Sequence, residues 1–259
     1  MRGGFQPTAC TAPARLDEGA RAADTVAIIV AGGVGLRFGD PHGKQFVELA
    51  GRPIIAWSLI AFDAAPSVAS IVIVCAPDRA DEVRAIISDL ALSKPVIFAD
   101  AGEVRQESVA SGLAAMPRGY AYVAIHDAAR PLIETSTIER AIAVLRSDPA
   151  LAGTLVSARV TDTLKLVEDG IVVSTPDRSF YWAAQTPQTF RTRVLEDAYA
   201  NAAFEDFIGT DDASLVERAG GIVRCVEPAS PNIKVTFPED LAVAETLLGV
   251  RMDRGEALV

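Results

Sequence analysis

Histidine and cysteine are scarce in this sequence of 259 residues, which contains two histidines and three cysteines. The cysteines, Cys10, Cys75 and Cys225, are odd in number and far apart, and with the two histidines they form no pair at the short spacing of a zinc motif. The sequence therefore predicts neither a disulfide framework nor a zinc site. It also lacks a Ser/His/Asp pattern for nucleophilic catalysis, so any chemistry must rely on other groups.

Long hydrophobic runs and an excess of basic residues are also missing. No apolar run approaches the roughly 20 residues that a membrane-spanning helix needs. Lys and Arg number 24 against 34 Asp and Glu, and the net charge of -10 repels a phosphate backbone over most of the surface. We therefore expect a cytoplasmic protein that binds neither a membrane nor a nucleic acid.

The sequence does have the composition of a globular protein. Half of its residues are hydrophobic and 22% are charged, and its length fits one large α/β domain. Residues 1–24 show no periodicity, so we predict a flexible leader, then a single domain over residues 25–250 and a tail at residues 251–259. The apolar run Val26–Ala31 is too short for a signal peptide and is predicted to be the first buried strand.

Short β-branched runs alternate with helical patterns from residue 26 onward. Strands are predicted at Val26–Ala31, Ile71–Cys75, Val96–Phe98, Tyr122–His126, Gly153–Ala158 and Ile222–Val226. Helices are predicted at Pro53–Asp63, Asp78–Leu90, Val104–Met116, Thr135–Arg146, Arg191–Ala203 and Asp212–Ala219, and from about Pro238. This order is typical of an α/β protein with a mostly parallel, Rossmann-like sheet and helices on both faces, in which ligands bind at the carboxyl ends of the strands.

Residues 161–175 break this alternation. Two alternating runs flank Glu168-Asp169-Gly170, a turn sequence suited to a hairpin. A hairpin of this size has too little apolar surface to be stable alone. We therefore predict a protruding β-hairpin arm at about residues 161–186, which packs either on its own domain or on a second subunit.

A glycine-rich loop with two cations follows the first predicted strand. Glycines let backbone N–H groups approach phosphate oxygens closely, and Arg37 and Lys44 add two positive charges. The residues predicted to form this anion site are Ala31, Gly32, Gly33, Gly35, Arg37 and Lys44. A merely flexible turn is the alternative for the glycines, and the two cations argue against it.

Spacing excludes two common phosphate-binding motifs. A Walker A loop has four residues before Gly-Lys and then Ser or Thr, whereas Gly39 and Gly43 enclose three residues and Gln45 stands at the Ser/Thr position. The dinucleotide-binding motif fails as well, because Phe38 occupies the position of its third glycine. Cys75 ends the next predicted strand, where that motif needs an acid.

A second cluster of polar residues follows the strand that ends at His126. Asp127 is predicted to contact Mg²⁺ or a ribose hydroxyl, and the alternative is a cap for the next helix. His126 is predicted to be a packed, hydrogen-bonded residue. Seven cations fall in loop or arm segments of this acidic chain: Arg37, Lys44, Arg105, Arg130, Lys165, Arg178 and Lys234. An anionic substrate with several phosphates would explain this distribution.

Eight motifs in order resemble a known family. They are AGGVGLRF, GKQF, HDAARP, TDTLK, DR at Asp177-Arg178, QTPQTF, TDDAS and NIKVTFPEDLAVAE. From about Val26 to Leu248, the chain closely resembles the 2-C-methyl-D-erythritol 4-phosphate cytidylyltransferases of the non-mevalonate isoprenoid pathway. The resemblance implies a transferase that moves a cytidylyl group from CTP to methylerythritol phosphate and releases pyrophosphate, with Mg²⁺ or another divalent cation.

The resemblance also implies roles for individual residues. The catalytic residues would be Arg37, Lys44 and Lys234. The nucleotide-binding residues would be Ala31, Gly32, Gly33, Gly35, Arg37, Lys44, Arg105, Ser108 and Asp127, with Asp127 also supporting the metal. The residues for the second substrate would be Arg130, Thr163, Arg178, Thr186, Thr210 and Lys234. A homodimer is implied, in which the β-arm delivers Thr163 and Arg178 to the neighbour's site.

Three positions depart from the family pattern: Gly32 replaces an alanine, Gly43 a proline and Glu103 an aspartate. Gly43→Pro is therefore expected to tighten CTP binding or stabilise the loop, provided that the local φ suits proline. Two alternative functions stay open, a cytidylyltransferase for another sugar-alcohol phosphate such as ribitol 5-phosphate, and a non-catalytic nucleotide-binding module. A fused cyclase domain is not expected, because the chain stops soon after the last predicted helix.

Overall fold

The structure of the chain is a computed structural model that describes residues 23–33, 35, 38, 39 and 43–254. Its strands are β1 (Thr25–Val30), β2 (Glu48–Leu49), β3 (Arg52–Pro53), β4 (Val68–Cys75), β5 (Val96–Asp100), β6 (Tyr122–Asp127), β7 (Gly153–Arg159), β8 (Leu166–Glu168), β9 (Ile171–Ser174), β10 (Trp182–Arg191) and β11 (Val223–Val226). Its helices are α1 (Ile54–Asp63), α2 (Ala80–Leu90), α3 (Arg105–Ala115), α4 (Thr135–Ser147), α5 (Thr192–Phe204), α6 (Asp212–Arg218) and α7 (Pro238–Asp253). Each predicted strand and helix is present, with ends within about three residues of those expected.

Seven strands form one sheet in the order β11-β7-β10-β6-β1-β4-β5. Strand β10 runs antiparallel to β6 and β7, and the other neighbouring pairs are parallel. The prediction of a mostly parallel α/β sheet is confirmed. In this register Val30 lies beside Asp127, and Cys75 lies beside Asp100. The loops after β1, β4, β5 and β6 therefore leave the sheet at one edge.

Both faces of the sheet are covered by helices, which explains why β1 is apolar at every position from Val26 to Val30. Val26 and Ile28 face a core shared with α3, α5 and α6, whereas Ala27 and Ile29 face a core shared with α1, α2 and α4. All four side chains are completely buried. Continuous apolar runs are the expected pattern for strands buried on two sides.

Strand β10 was not predicted from the sequence. Its second half is buried between β6 and β7, although this part is the polar run Thr186-Pro187-Gln188-Thr189 followed by Phe190. Threonine and glutamine give no apolar run, and proline within a run argues against a central strand because it cannot donate to the ladder. Of the buried polar side chains here, Thr186 contacts the site described below, and Gln188 bonds Asp211 and Ala213 at the start of α6.

The predicted hairpin is present as β8 and β9, which pair antiparallel around Asp169 and Gly170 at positive φ angles of 49° and 79°. The described part of the chain does not cover the apolar side chains of the arm, since Ile171 in β9 is 71% exposed and Phe180, just after the hairpin, is 82% exposed. Strand β10 begins at Trp182, so Thr186 lies in the seven-stranded sheet. The exact limits of the arm and of the domain stay predictions.

Gly43 adopts a backbone conformation that proline cannot reach. Its φ is 100° and its ψ is 126°, whereas the proline ring fixes φ near −65°. The expectation that Gly43→Pro would tighten or stabilise the loop is therefore wrong. A Cβ at this position would also lie 3.0 Å from the side-chain Nε2 of Gln45.

We expect Gly43→Ala to destabilise the protein by about 1–3 kcal/mol, because alanine is strained at this φ and crowds Gln45. Urea unfolding would measure the loss. Gly119→Ala is the matched control, since Gly119 has a φ of 95° but open space around it. A loss for Gly43→Ala no larger than for the control would contradict a role for the Gln45 contact.

Candidate active site

The loops after β1, β5 and β6 and the segment before α7 enclose a cavity of about 230 Å³ at the carboxyl edge of the sheet. Eight residues that the sequence assigned to the site line this cavity: Ala31, Gly32, Gly33, Lys44, Arg105, Ser108, Asp127 and Lys234. A larger groove of about 850 Å³ lies at the opposite edge, beside Arg118, Tyr120 and Arg193, and contains none of them. The smaller cavity is therefore the candidate active site.

Three segments far apart in the sequence meet at Asp127. Sheet pairing sets Asp127 beside Val30, so it adjoins the glycine-rich loop. Arg105 is the first residue of α3. The segment that carries Lys234 is fixed to the loop after β6 by the backbone N–H of Val235, which donates to the carbonyl of Ala129 at 2.8 Å.

The carboxylate of Asp127 is held by two cations. Arg105 Nε donates to Oδ1 at 3.0 Å, and Lys234 Nζ donates to Oδ2 at 2.7 Å. Burial by itself would raise the pKa of Asp127, but the charges of Arg105 and Lys234 outweigh this effect and hold the pKa below its usual range. Asp127 is therefore ionised at neutral pH and fixes both cations at the cavity wall.

Arg105 also pairs with a second carboxylate, which the sequence analysis did not identify. Its Nη1 lies 2.9 Å from Asp212 Oδ2, and the hydroxyl of Tyr199 donates to Asp212 Oδ1 at 2.6 Å. Asp212 belongs to the TDDAS motif, in which only Thr210 was assigned a role. Two adjacent acids at a helix start were a usable signal, since one can cap the helix while the other faces inward. Asp211 is the cap of α6.

His126 and Thr186 form a buried layer behind Asp127. Thr186 Oγ1 accepts from the backbone N–H of Asp127 at 3.0 Å and lies 3.0 Å from His126 Nδ1. The other ring nitrogen of His126 lies 3.3 Å from both Ser58 Oγ and the carbonyl of Arg130. The prediction that His126 is a packed, hydrogen-bonded residue is confirmed. Thr186 is buried behind the cavity wall, and its contact with the second substrate stays a prediction.

His126 should make stability depend on pH. Burial lowers its pKa to about 3, from about 6.5 in an unfolded chain. The unfolded state then binds the proton first, so this contribution is complete above pH 6.5 and is lost as the pH falls towards 3. We expect His126 to account for a loss of about 2 kcal/mol in unfolding free energy between pH 7 and pH 5.

Urea unfolding of the wild type and His126→Gln at these two pH values checks this expectation. The variant should lose less stability on acidification, whatever its stability at pH 7. The range stops at pH 5 because Asp127, whose pKa is also lowered, contributes its own loss only under more acidic conditions. Equal losses in both proteins would contradict the buried neutral histidine.

Arg130 is buried and supports the segment that carries Lys234. Its Nη1 donates to the carbonyl of Asn232 at 2.8 Å. Asn232 Nδ2 in turn donates to the carbonyl of Thr186 at 2.8 Å. Burial lowers the pKa of Arg130, and Asp127 partly opposes this. The predicted contact of Arg130 with the second substrate is not tested by this arrangement.

The loop after β5 lines the cavity and packs against the glycine-rich loop. Ser108 Oγ accepts from the backbone N–H of Gly102 at 3.0 Å and donates to the carbonyl of Val104 at 3.2 Å. A Cβ at Gly32 would lie 2.2 Å from Cβ of Ala101. The departure of Gly32 from the family pattern is therefore explained, because Ala101 fills the space that an alanine at position 32 would need.

Several predicted site residues lie elsewhere. Arg37 lies outside the described residues. Gly35 is described and does not line the cavity. Thr163, Arg178 and Thr210 are exposed and do not line the cavity of their own chain. Arg178 donates from Nη1 to the carbonyl of Thr161 at the base of the arm.

The model of the 2-C-methyl-D-erythritol 4-phosphate cytidylyltransferase family (IspD) matches residues 25–250 of the chain. The chain belongs to this family. A family relative from Nostoc punctiforme is 41% identical over 225 residues, which cover 86% of this chain and 98% of the relative. One from Prochlorococcus marinus is 42% identical over 227 residues, or 86% of this chain and 98% of the relative. Both are named 2-C-methyl-D-erythritol 4-phosphate cytidylyltransferase.

Solved structures of the family share the fold. The enzyme from Anaerococcus prevotii, described as a 4-diphosphocytidyl-2C-methyl-D-erythritol synthase, superposes with a TM-score of 0.77 at 26% identity and covers 87% of this chain and 98% of its own. The Francisella tularensis family member superposes with a TM-score of 0.70 at 28% identity, and the match covers 86% of this chain and 99% of that structure's chain. The family predicted from the eight motifs is confirmed, and the chain is a nucleotidyltransferase. No helix among the described residues is long and apolar enough to cross a membrane.

Proposed function

We propose that the cavity binds CTP and transfers its cytidylyl group to 2-C-methyl-D-erythritol 4-phosphate, releasing pyrophosphate. The observation that carries this proposal is the placement of Arg105 and Lys234 on Asp127, with Lys44 lining the same cavity, at the strand ends of a family member. Three cations in one cavity of an acidic protein suit a triphosphate and a second phosphate.

The reaction needs positioning and charge neutralisation rather than a covalent intermediate. The attacking phosphate oxygen is already ionised at neutral pH, so no general base is required. His126 is fully buried and has a pKa of about 3, which keeps it away from proton transfer with the substrates. Lys44, Arg37 and Lys234 would stabilise the charge that develops around the α-phosphate during in-line attack.

The remaining cavity residues would hold the nucleotide. Ala31, Gly32 and Gly33 offer small side chains and backbone groups on one wall, where a ligand can approach the chain closely. Gly102 and Ser108 form a hydrogen-bonded loop on the other wall. We assign cytidine to this cleft and the triphosphate to the cations beside it.

The residues present fit a divalent cation held mainly by substrate phosphates. Among the described residues, no group of three or more His, Cys, Asp or Glu side chains could hold a metal by itself. Asp127 is acidic, lines the cavity and keeps lone pairs beyond its two ion pairs. One or two carboxylates plus phosphates is a common arrangement for Mg²⁺, which would neutralise phosphate charge when bound.

Activity should therefore require a divalent cation, and Asp127→Asn should need more metal or lose activity. The substitution also removes the charge that holds Arg105 and Lys234, so both defects should appear together. Titration of Mg²⁺ and Mn²⁺ after EDTA treatment measures the requirement. Full activity of the wild type in excess chelator would contradict it.

We infer that the second substrate is bound with help from another copy of the chain. The arm exposes apolar residues that its own domain does not cover, and Arg178 lies at its base. In a homodimer that exchanges arms, Thr163 and Arg178 would reach the neighbour's cavity, where Arg130, Thr186 and Thr210 were also expected to act. A cytoplasmic location stays a prediction of the sequence.

Pyrophosphate release tests the proposed function. CTP with methylerythritol phosphate should release pyrophosphate, whereas ATP, GTP or UTP with the same acceptor should release far less. Ribitol 5-phosphate as acceptor separates the alternative cytidylyltransferase. CTP without an acceptor is the control for hydrolysis. If none of the acceptors in the panel leads to pyrophosphate release, the result would favour a non-catalytic nucleotide-binding module and contradict the proposal.

A further inference from the structure

We propose that Asp212, together with Tyr199, is a positioning residue for the transfer reaction, because it holds the guanidinium of Arg105 in place at the cavity. This inference rests on the proposed function. Neither residue touches the cavity itself, and each would act through Arg105.

Arg105 is shared between two carboxylates. Its Nε contacts Asp127 at 3.0 Å and its Nη1 contacts Asp212 at 2.9 Å. Two contacts on a planar group fix its orientation. Asp212 is itself fixed, since it is 1% exposed and accepts the Tyr199 hydroxyl at 2.6 Å. The guanidinium is therefore held between two carboxylates at the cavity before any ligand binds.

Asp212 also prevents two cations from competing for one carboxylate. Without it, the guanidinium of Arg105 would be free to turn and bind both oxygens of Asp127 through Nε and Nη2, because bidentate pairs between arginine and carboxylate are strong. One of these oxygens, Oδ2, is the one that Lys234 contacts at 2.7 Å. Loss of Asp212 would therefore disturb Arg105 and Lys234 together.

Asp212→Asn changes both the charge near the cavity and the position of Arg105, and these two changes predict different kinetic effects. The substitution removes a negative charge near the cavity, so charge alone would tighten the binding of anionic CTP. Loss of position would lower kcat, because preorganised cations act on the transition state. Tyr199→Phe removes the hydrogen bond to Asp212 without replacing a charged side chain, so it tests position with a smaller change in charge than Asp212→Asn.

Steady-state kinetics of Asp212→Asn, Tyr199→Phe and Arg105→Ala, and of both double variants with Arg105→Ala, test the proposal. We expect Asp212→Asn to lower kcat about 30-fold and Tyr199→Phe about fivefold, with no decrease in the KM for CTP. In the Arg105→Ala background, each should lower kcat less than about twofold further, because residues that act through one group are not additive.

Ser67→Ala is the matched control for buried hydrogen bonds to a carboxylate. Ser67 is fully buried at the opposite edge of the sheet and donates to Glu139 Oε2 at 2.7 Å. The Ser67→Ala substitution should lower the melting temperature of the protein without changing kcat. A merely structural role for Asp212 and Tyr199 would give the same pattern as this control.

Additive losses in the Arg105→Ala background, or tighter CTP binding with unchanged kcat, would overturn the inference. If Asp212→Asn fails to fold, the double-mutant cycle of Tyr199→Phe and Arg105→Ala tests the inference instead. Failure of the proposed function is a different result, since the wild type would then release no pyrophosphate from CTP with methylerythritol phosphate.

Discussion

Lys44→Ala is expected to lower kcat by more than about 100-fold, while the KM for CTP changes much less. Charge develops at the α-phosphate mainly in the transition state, so a cation placed there contributes more to turnover than to binding. Loss of one preorganised donor raises the barrier by roughly 3 kcal/mol or more.

The structure supports this role by fixing the turn that Lys44 begins. Gln45, the next residue, donates from Nε2 to the carbonyl of Ala31 at 2.9 Å and so anchors the turn to the loop after β1. A Cβ at Gly35 would lie 3.4 Å from the backbone nitrogen of Lys44. The glycine-rich loop therefore passes directly against the lysine.

Single-turnover and steady-state kinetics separate the two parameters. Arg224→Ala is the control for loss of one positive charge, because Arg224 is exposed and pairs with Asp148 at 3.1 Å. Exposed pairs contribute little, so its kcat should stay within about twofold of the wild type. A Lys44→Ala variant within a few-fold of the wild-type rate would remove Lys44 from the catalytic group.

Mixing two inactive variants, Lys44→Ala and Arg178→Ala, is expected to restore about a quarter of the wild-type activity, if two sites in an isologous dimer act independently. Each variant alone should be nearly inactive. In a mixed dimer with exchanged arms, one site has both wild-type groups and the other has neither. Statistical exchange makes half of the dimers mixed, and each has one good site of two.

The expectation rests on the separation of Lys44 and Arg178 within one chain. Lys44 lines the cavity, whereas Arg178 lies exposed at the base of the arm and does not. Packing on a second copy of the chain would bury the exposed apolar residues of β8 and β9, and an isolated hairpin is only marginally stable.

A mixture of Lys44→Ala with Lys234→Ala is the matched control. Both lysines line the cavity of one chain, so every site in a mixed dimer still lacks one of them and no activity should return. Subunit exchange is verified with differently tagged chains. If the first mixture recovers no activity after verified exchange, Lys44 and Arg178 act in the site of the same subunit. If light scattering shows a monomer, the arms are not exchanged between subunits.

The sequence predicted the parts of the fold that depend on local pattern. Strands buried on both faces, such as β1 with its apolar run from Val26 to Val30, were recognised. Strand β10 was missed because its buried residues include Thr186 and Gln188, whose side chains are held by hydrogen bonds rather than by apolar contact. Residues distant in the sequence determine that such a segment forms a strand, so its own sequence pattern does not predict it.

The site was predictable to the same extent. The position of Asp127 at a strand end follows from sheet geometry, and its loop neighbours could be expected. The pairing of Arg105 with Asp212, and the hydroxyl of Tyr199 behind it, depends on how α3, α5 and α6 pack. Gly43 shows the limit for backbone conformation, because a sequence does not reveal that a glycine adopts a φ closed to proline.

The pairing of Asp127 with Lys234 sets the moment in synthesis at which the enzyme can first work. Lys234 follows Asp127 by 107 residues and comes after β11, which ends the seven-stranded sheet at Val226. All seven strands of the sheet are therefore synthesised before the lysine that pairs with Asp127. Competence for cytidylyl transfer should appear only once the segment before α7 has emerged and docked, so a chain stalled on the ribosome before Lys234 should be inactive.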